Sequence, residues 1–138
     1  MRILAVDHGQ KRIGLALSDE TGMLARPLLV LKHIARAIDA AAVAGCAVEH
    51  AAAQIIVGAS YNEEGELNPA GRSAERFAEA LRLQTDLPVL LWDESLTTQD
   101  ARQTRLTMGV SRKKRSGHLD DVAAAMLLQN YLDSLANV

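Results

Sequence analysis

Ile3-Leu4-Ala5-Val6-Asp7-His8-Gly9-Gln10-Lys11-Arg12-Ile13-Gly14-Leu15-Ala16-Leu17-Ser18 decides how the rest of the chain is read. Four apolar residues run into Asp7-His8-Gly9, the pattern of a buried strand meeting a turn. Ile13 to Ser18 is again apolar or small, so a hairpin of two antiparallel strands is the economical connection. Leu28 to Leu31, after Pro27, reads as a third strand. Between His33 and about Ala53 the chain is Ala-rich with apolar residues at helical spacing (Ile34, Ile38, Ala41, Val48, Ala52), which describes one helix or one broken at Gly45.

Beyond the first helix the pattern alternates. Gln54 to Gly58 is a buried strand by its β-branched content, and the polar stretch Ser60 to Gly71 is a loop. Arg72 to Thr85 carries Ala74, Phe77, Ala78 and Leu81 on one side of a helix, and Pro88 opens a strand over Val89 to Trp92. Thr97-Thr98-Gln99-Asp100 starts a helix running to about Met108, with Gly109 as its stop. A closing helix from Asp120 to Leu135 places Val122, Met126, Leu127 and Tyr131 on one side. The sum is one α/β domain over residues 1–138: a five-stranded mixed sheet with an antiparallel first hairpin feeding parallel βαβ units, flanked by helices.

With 49% hydrophobic residues, 23% charged and a single Trp and Phe, the core must be built from Ala, Leu, Val and Ile, and disorder is excluded. The net charge of −2 leaves no basic field over the whole surface, so any nucleic-acid contact is local. Arg112-Lys113-Lys114-Arg115, with Lys11 and Arg12 in the first hairpin, are the candidates to grip phosphates; a solvated loop is the alternative reading of the run. Cys46 is the lone cysteine and suits a core position on the Ala-rich helix; His8, His33, His50 and His118 have no zinc spacing. The chain opens without a signal-peptide core and contains no run of the roughly 18 apolar residues a membrane span needs, so a soluble cytoplasmic protein is expected.

Asp7 leaves a buried strand at the open edge of a sheet, where ligands of α/β folds gather, and Gly9 and Gly14 would allow a phosphate close to the backbone. Plain Asp-x-Gly turn chemistry explains the same residues without a ligand. Asp93-Glu94 repeats the pattern after the last strand, and Asp120-Asp121 open the last helix; in both places acids also complement a helix N-terminus. Their joint reading is chemical: Mg²⁺ or Mn²⁺ takes oxygen ligands, and carboxylates that hold such ions support in-line phosphoryl displacement by water without a side-chain nucleophile.

Asp7-x-Gly-x-Lys-Arg-Ile-Gly14-Leu-Ala-x-Ser-Asp19, Ile55-Ile-Val-Gly58, Asp93-Glu-Ser-Leu-Thr-Thr98 and Asp120-x-x-Ala-Ala124-x-x-Leu-Leu-Gln129 together resemble the YqgF/RuvX family of RNase H-like proteins, in order and over nearly the whole chain. The resemblance implies a ribonuclease H-like fold and a nuclease that trims the 5′ end of pre-16S rRNA within a ribosomal precursor particle. It sets Asp7, Glu94 and Asp120 on the family's catalytic, metal-binding acids, choosing Glu94 over Asp93 and Asp120 over Asp121. Two departures stand out. Gly58-Ala59-Ser60 and Asn62-Glu63-Glu64-Gly65 replace the usual Gly-x-Pro and Asn-x-Asp-Gly, and Ser95 replaces an arginine beside Glu94.

Three other readings compete. A Holliday-junction resolvase acting on DNA would need a two-fold dimer, whereas an RNA nuclease works as monomer or homodimer. An actin-like kinase or ATPase would clamp its nucleotide between two such domains, and 138 residues make one. A binding module without turnover would not need all three acids.

Overall fold

The computed structural model describes residues 1–95 and 119–136. Five strands form one sheet: β1 (Arg2–His8), β2 (Arg12–Ser18), β3 (Ala25–Lys32), β4 (Ala52–Ala59) and β5 (Val89–Asp93), in the spatial order β3-β2-β1-β4-β5. β1 pairs antiparallel with β2, and β2 with β3; β4 and β5 add in parallel to the other side of β1. The helices α1 (Arg36–Glu49) and α2 (Pro69–Arg82) are the crossovers that parallel pairing requires, and α3 (Leu119–Ala136) covers the opposite face. This is the expected mixed sheet with its antiparallel first hairpin.

Strand alternation divides the core. Leu4, Val6, Ile13, Leu15, Ile55 and Val57 pack with Phe77 and Leu81 beneath α1 and α2, while Ile3, Ala5, Ala16 and Ile56 meet Ala124, Leu128 and Tyr131 of α3. Burial on both faces is why these strands read as continuous apolar runs. Asp7 follows the parity of Ile3 and Ala5, and Gly58 that of Ile56, so both face α3.

Several boundaries and faces differ from expectation. β3 includes Pro27, which an edge strand tolerates because its outward N–H has no partner to lose. The first helix is unbroken through Gly45 and turns different residues inward: Ala40, Val43, Ala44 and Ala47 are buried, whereas Ile38 is 52% and Val48 75% exposed. Small side chains let α1 lie close to the sheet and α2. Ala35 makes no side-chain cap at its start; buried Asp39 accepts the Ile34 N–H and pairs with His33 Nδ1. α2 starts earlier than its periodicity suggests, at Pro69, because Asn68 caps it by accepting from the Gly71 N–H at 2.8 Å. The expected helix from Thr97 to Met108, the basic run and His118 lie outside the described residues.

Candidate active site

Asp7 is the sixth residue of β1 and stands opposite Gly14 in the β1–β2 register. A Cβ on Gly14 would lie 1.9 Å from the backbone oxygen of Asp120, so only glycine lets the first turn of α3 settle on β2. Gly9 likewise has the Arg12 carbonyl 2.6 Å from where its Cβ would be, with its own N–H donating to that oxygen. Both glycines therefore serve contacts within the protein, which corrects the expectation that they admit a phosphate.

Glu94 follows β5 immediately, its N–H donating to the Ala59 carbonyl at 3.0 Å. Between β1 and β5 runs β4, whose last residues Gly58 and Ala59 carry no functional group. A Cβ on Gly58 would lie 3.2 Å from Glu94 Oε2 and 2.8 Å from Leu127 Cδ2. The missing side chain is thus the space through which Glu94 reaches back toward Asp7. Asp7 and Glu94 line one cavity of about 370 Å³, closed by Ser60, Tyr61 and Ser95 from the strand ends and by Ala123, Met126, Leu127 and Asn130 of α3.

The electrostatics of this corner follow from burial and crowding. Burial pushes the Asp7 carboxyl up to about 6, with the charges of Glu94 and then Asp120 adding to the rise. Glu94 is raised by desolvation and by neighbouring Asp93. Asp120 is turned toward Arg12, whose Nε–H donates to its Oδ2 at 2.9 Å. Among the described residues, no three acidic, histidine or cysteine side chains are gathered tightly enough to enclose an ion. The donor set still fits a hard divalent cation, since the carboxylates of Asp7 and Glu94 face one cavity and supply oxygen ligands.

One of the neighbouring acids proves structural. Asp93 accepts from both the N–H and the hydroxyl of Ser95, at 2.9 and 2.7 Å, so Ser95 builds the turn that presents Glu94. Asp121 faces away from the acid cavity, into a larger groove of about 770 Å³ that Lys11, Arg12, Lys32 and His33 also line. Lys11 and Arg12 thus line one groove. Lys32 was not singled out in the sequence, because a lysine ending an apolar strand gives no signal of its own. Arg112, Lys113, Lys114 and Arg115 fall outside the described residues. The altered loop after β4 is well braced: Asn62 Oδ1 accepts from the N–H groups of Glu64 and Glu66, and Ser60 Oγ donates to Asn68.

A family profile described as "RuvX: Holliday junction resolvase" matches residues 1–134. The chain belongs to the RuvX family. Three curated proteins, each named "Putative pre-16S rRNA nuclease", are similar over nearly their whole length. The one from Geobacillus kaustophilus is 41% identical, with 97% of this chain and 99% of that protein covered. For Thermoanaerobacter pseudethanolicus the identity is 39%, with 99% of both covered, and for Bacillus subtilis 38%, with 98% and 99% covered. Among solved structures, T. thermophilus RuvC in complex with Holliday junction substrate aligns with a TM-score of 0.60 at 15% identity, covering 99% of this chain and 96% of that one. Fowlpox virus resolvase with its junction DNA aligns at 0.58 and 16%, covering 98% and 99%. At such identities these two establish the ribonuclease H-like fold. For a RuvX protein, the Gly58-Ala59 end of β4 and the Ser95 turn are then local solutions within a shared frame.

Proposed function

We propose that this chain is a divalent-metal-dependent nuclease that hydrolyses phosphodiester bonds of structured RNA, trimming the 5′ end of precursor 16S rRNA in the cytoplasm. The observation that carries this reading is the shared cavity of Asp7 and Glu94, with Asp120 close enough to raise Asp7 further. The likeness to named rRNA nucleases at 38–41% identity over whole chains favours RNA over a DNA junction, which is supported by fold likeness and by the family's description.

Asp7, Glu94 and Asp120 would hold Mg²⁺ or Mn²⁺, which supplies Lewis acidity toward the scissile phosphate and its attacking water. The chain's own residues do the rest. Ser95 and Asp93 fix the turn that aims Glu94, and Gly14 seats the helix that carries Asp120. Asp120 must turn away from Arg12 to join the other acids. That contact is largely exposed and worth at most about 1 kcal/mol, so the rearrangement is cheap and leaves Arg12 free for a substrate phosphate. Lys11, Arg12 and Lys32 line the groove along which the strand would continue.

The test offers the purified protein a 5′-extended 16S precursor RNA and a four-way DNA junction, with Mg²⁺ or Mn²⁺, beside Asp7→Asn. Trimming of the RNA, lost in the variant and on chelation, is expected. Junction cutting without RNA trimming, or unchanged cutting by Asp7→Asn, would overturn the proposal.

A further inference from the structure

Asp39 is the one buried charged side chain among the described residues, 3% exposed. It stands in the first turn of α1, yet its carboxylate points ahead of that helix: Oδ1 accepts from the Ile34 N–H and Oδ2 pairs with His33 Nδ1. A carboxylate is buried without penalty only when its oxygens are met, and both are met here by the segment joining β3 to α1. His33 is held a second time, through its backbone N–H, which donates to the Lys11 carbonyl at 2.9 Å. Its side chain remains 41% exposed and lines the groove of about 770 Å³ beside Lys11, Arg12 and Lys32. With Nδ1 committed to Asp39, the nitrogen on the other edge of the ring, Nε2, is the one that can serve a ligand in the groove. Arg12 and Lys32 stand directly opposite each other in the β2–β3 register, a like-charged cross-strand pair that is unfavourable unless an anion meets it.

We propose that His33, positioned by Asp39, binds a backbone phosphate of the substrate strand, forming with Arg12 and Lys32 an anion subsite beside the metal centre. The inference rests on the nuclease reading above. When a divalent cation draws Asp120 toward Asp7 and Glu94, Arg12 gives up its carboxylate partner, and Asp121 is then the one acid lining the groove among the described residues. Lys11, Arg12 and Lys32 against one carboxylate leave a positive site that attracts a phosphodiester. His33 adds direction to that attraction: its protonated ring gives Nδ1–H to Asp39 and offers Nε2–H to a phosphate oxygen. The ionisable groups around the ring are Asp39 and Arg36 of α1, His8 of β1, Lys32 of β3, Lys11 and Arg12 of the first hairpin, and Asp121 of α3. His8 is stacked on Phe77 and held below the ordinary histidine range, first by burial and then by the charge of His33, so the exposed ring is the one of the two that carries the proton to the groove.

The experiment measures binding of the precursor RNA over a salt series at pH 6 and pH 8.5, with every chain carrying Asp7→Asn so that the RNA stays intact and the Asp7 titration is absent. Into this parent go His33→Asn and His33→Arg, with thermal melting alongside. Asparagine keeps an N–H where Nδ1 stands, so Asp39 stays paired and the melting temperature should hold, but it has nothing in place of Nε2. At pH 6, His33→Asn is expected to bind roughly tenfold more weakly than the parent, the value of one charge-assisted hydrogen bond, with a slope of log K against log salt smaller by about 1. At pH 8.5, where histidine is ordinarily neutral, the two chains should converge. His33→Arg, whose fork can serve Asp39 and a phosphate together, should restore the slope at both pH values. Single methylphosphonates are then scanned along the RNA; at one position the parent should fall to the level of His33→Asn while that variant is indifferent. Equal slopes at pH 6, a deficit in His33→Asn that is the same at both pH values or that His33→Arg leaves in place, or a ratio that no methylphosphonate closes would overturn the subsite. If the parent and His33→Asn bind alike while Asp7→Asn is inert in cleavage, the subsite fails and the nuclease reading stands; if Asp7→Asn cuts normally, the nuclease reading itself fails.

Discussion

Asp7 illustrates what a single carboxyl costs when its surroundings are built for a missing charge. Its ordinary value of 3.8 is pushed to about 6, chiefly by burial. Between those values the folded chain holds a proton that the unfolded chain has lost, so stability falls as pH rises through this window. The loss reaches roughly 2–3 kcal/mol above pH 6. Asp7→Asn should therefore melt close to the native chain at pH 4 and several degrees higher at pH 7.5. Millimolar Mg²⁺ should raise the native melting temperature at pH 7.5 and leave that of Asp7→Asn nearly unchanged; equal shifts in both would separate the ion from Asp7. Gly58 works at the same scale. In Gly58→Ala the new methyl meets Leu127 Cδ2, a flexible terminus, and Glu94 Oε2. We expect a stability loss of about 1 kcal/mol with a much larger drop in turnover, as Glu94 is displaced from the cavity. A circular-dichroism melt beside the cleavage assay separates the two effects.

Among the elements, α3 depends on β2 more closely than its length suggests, because its first turn rests on the bare Cα of Gly14. Gly14→Ala must drive the helix off the sheet, and a loss of at least about 2–3 kcal/mol by chemical denaturation, with abolished cleavage, is expected. Gly45 is the opposite case: it is exposed on α1 with nothing within 4 Å of an added Cβ. Gly45→Ala should stabilise the fold by about 0.5–1 kcal/mol without touching activity. Neither role was visible in the sequence, where both glycines look alike. The strands themselves were legible, since five short apolar runs between helical periods leave little choice of topology. Their facing was not, because runs buried on both sides show no alternation, and an Ala-rich helix hides which side is inward until packing against β4 and α2 selects the smaller residues. Ile38 and Val48 were misplaced for that reason. The acids could be located at element ends from the sequence, but the choice of Glu94 over Asp93 needed the family resemblance. The turn at Ser95 occupies Asp93 and leaves Glu94 lining the cavity with Asp7.

For the whole molecule, the sheet order sets the candidate centre across three parallel strands, β1, β4 and β5, beneath the N-terminal half of α3. Charge is unevenly distributed: Asp7 and Glu94 line one cavity, while Lys11, Arg12 and Lys32 outnumber Asp121 in the next, over a chain whose net charge is only −2. Binding should consequently lose affinity with salt as expected for a few phosphate contacts, and Lys32→Ala should reduce the slope of log K against log salt by about 1. Filter binding of the precursor RNA over a salt series measures this. One feature of the sheet reaches further. Glu94 hangs from β5, which among the described residues is an edge strand bonded to the sheet only through β4, while Asp7 sits on β1 at its centre. An ion shared by the two acids would act as a rivet across the bare end of β4, fastening the margin of the sheet to its middle. Amide exchange along Val89–Asp93 should then slow when Mg²⁺ is added, making the edge strand a reporter of whether the enzyme is armed.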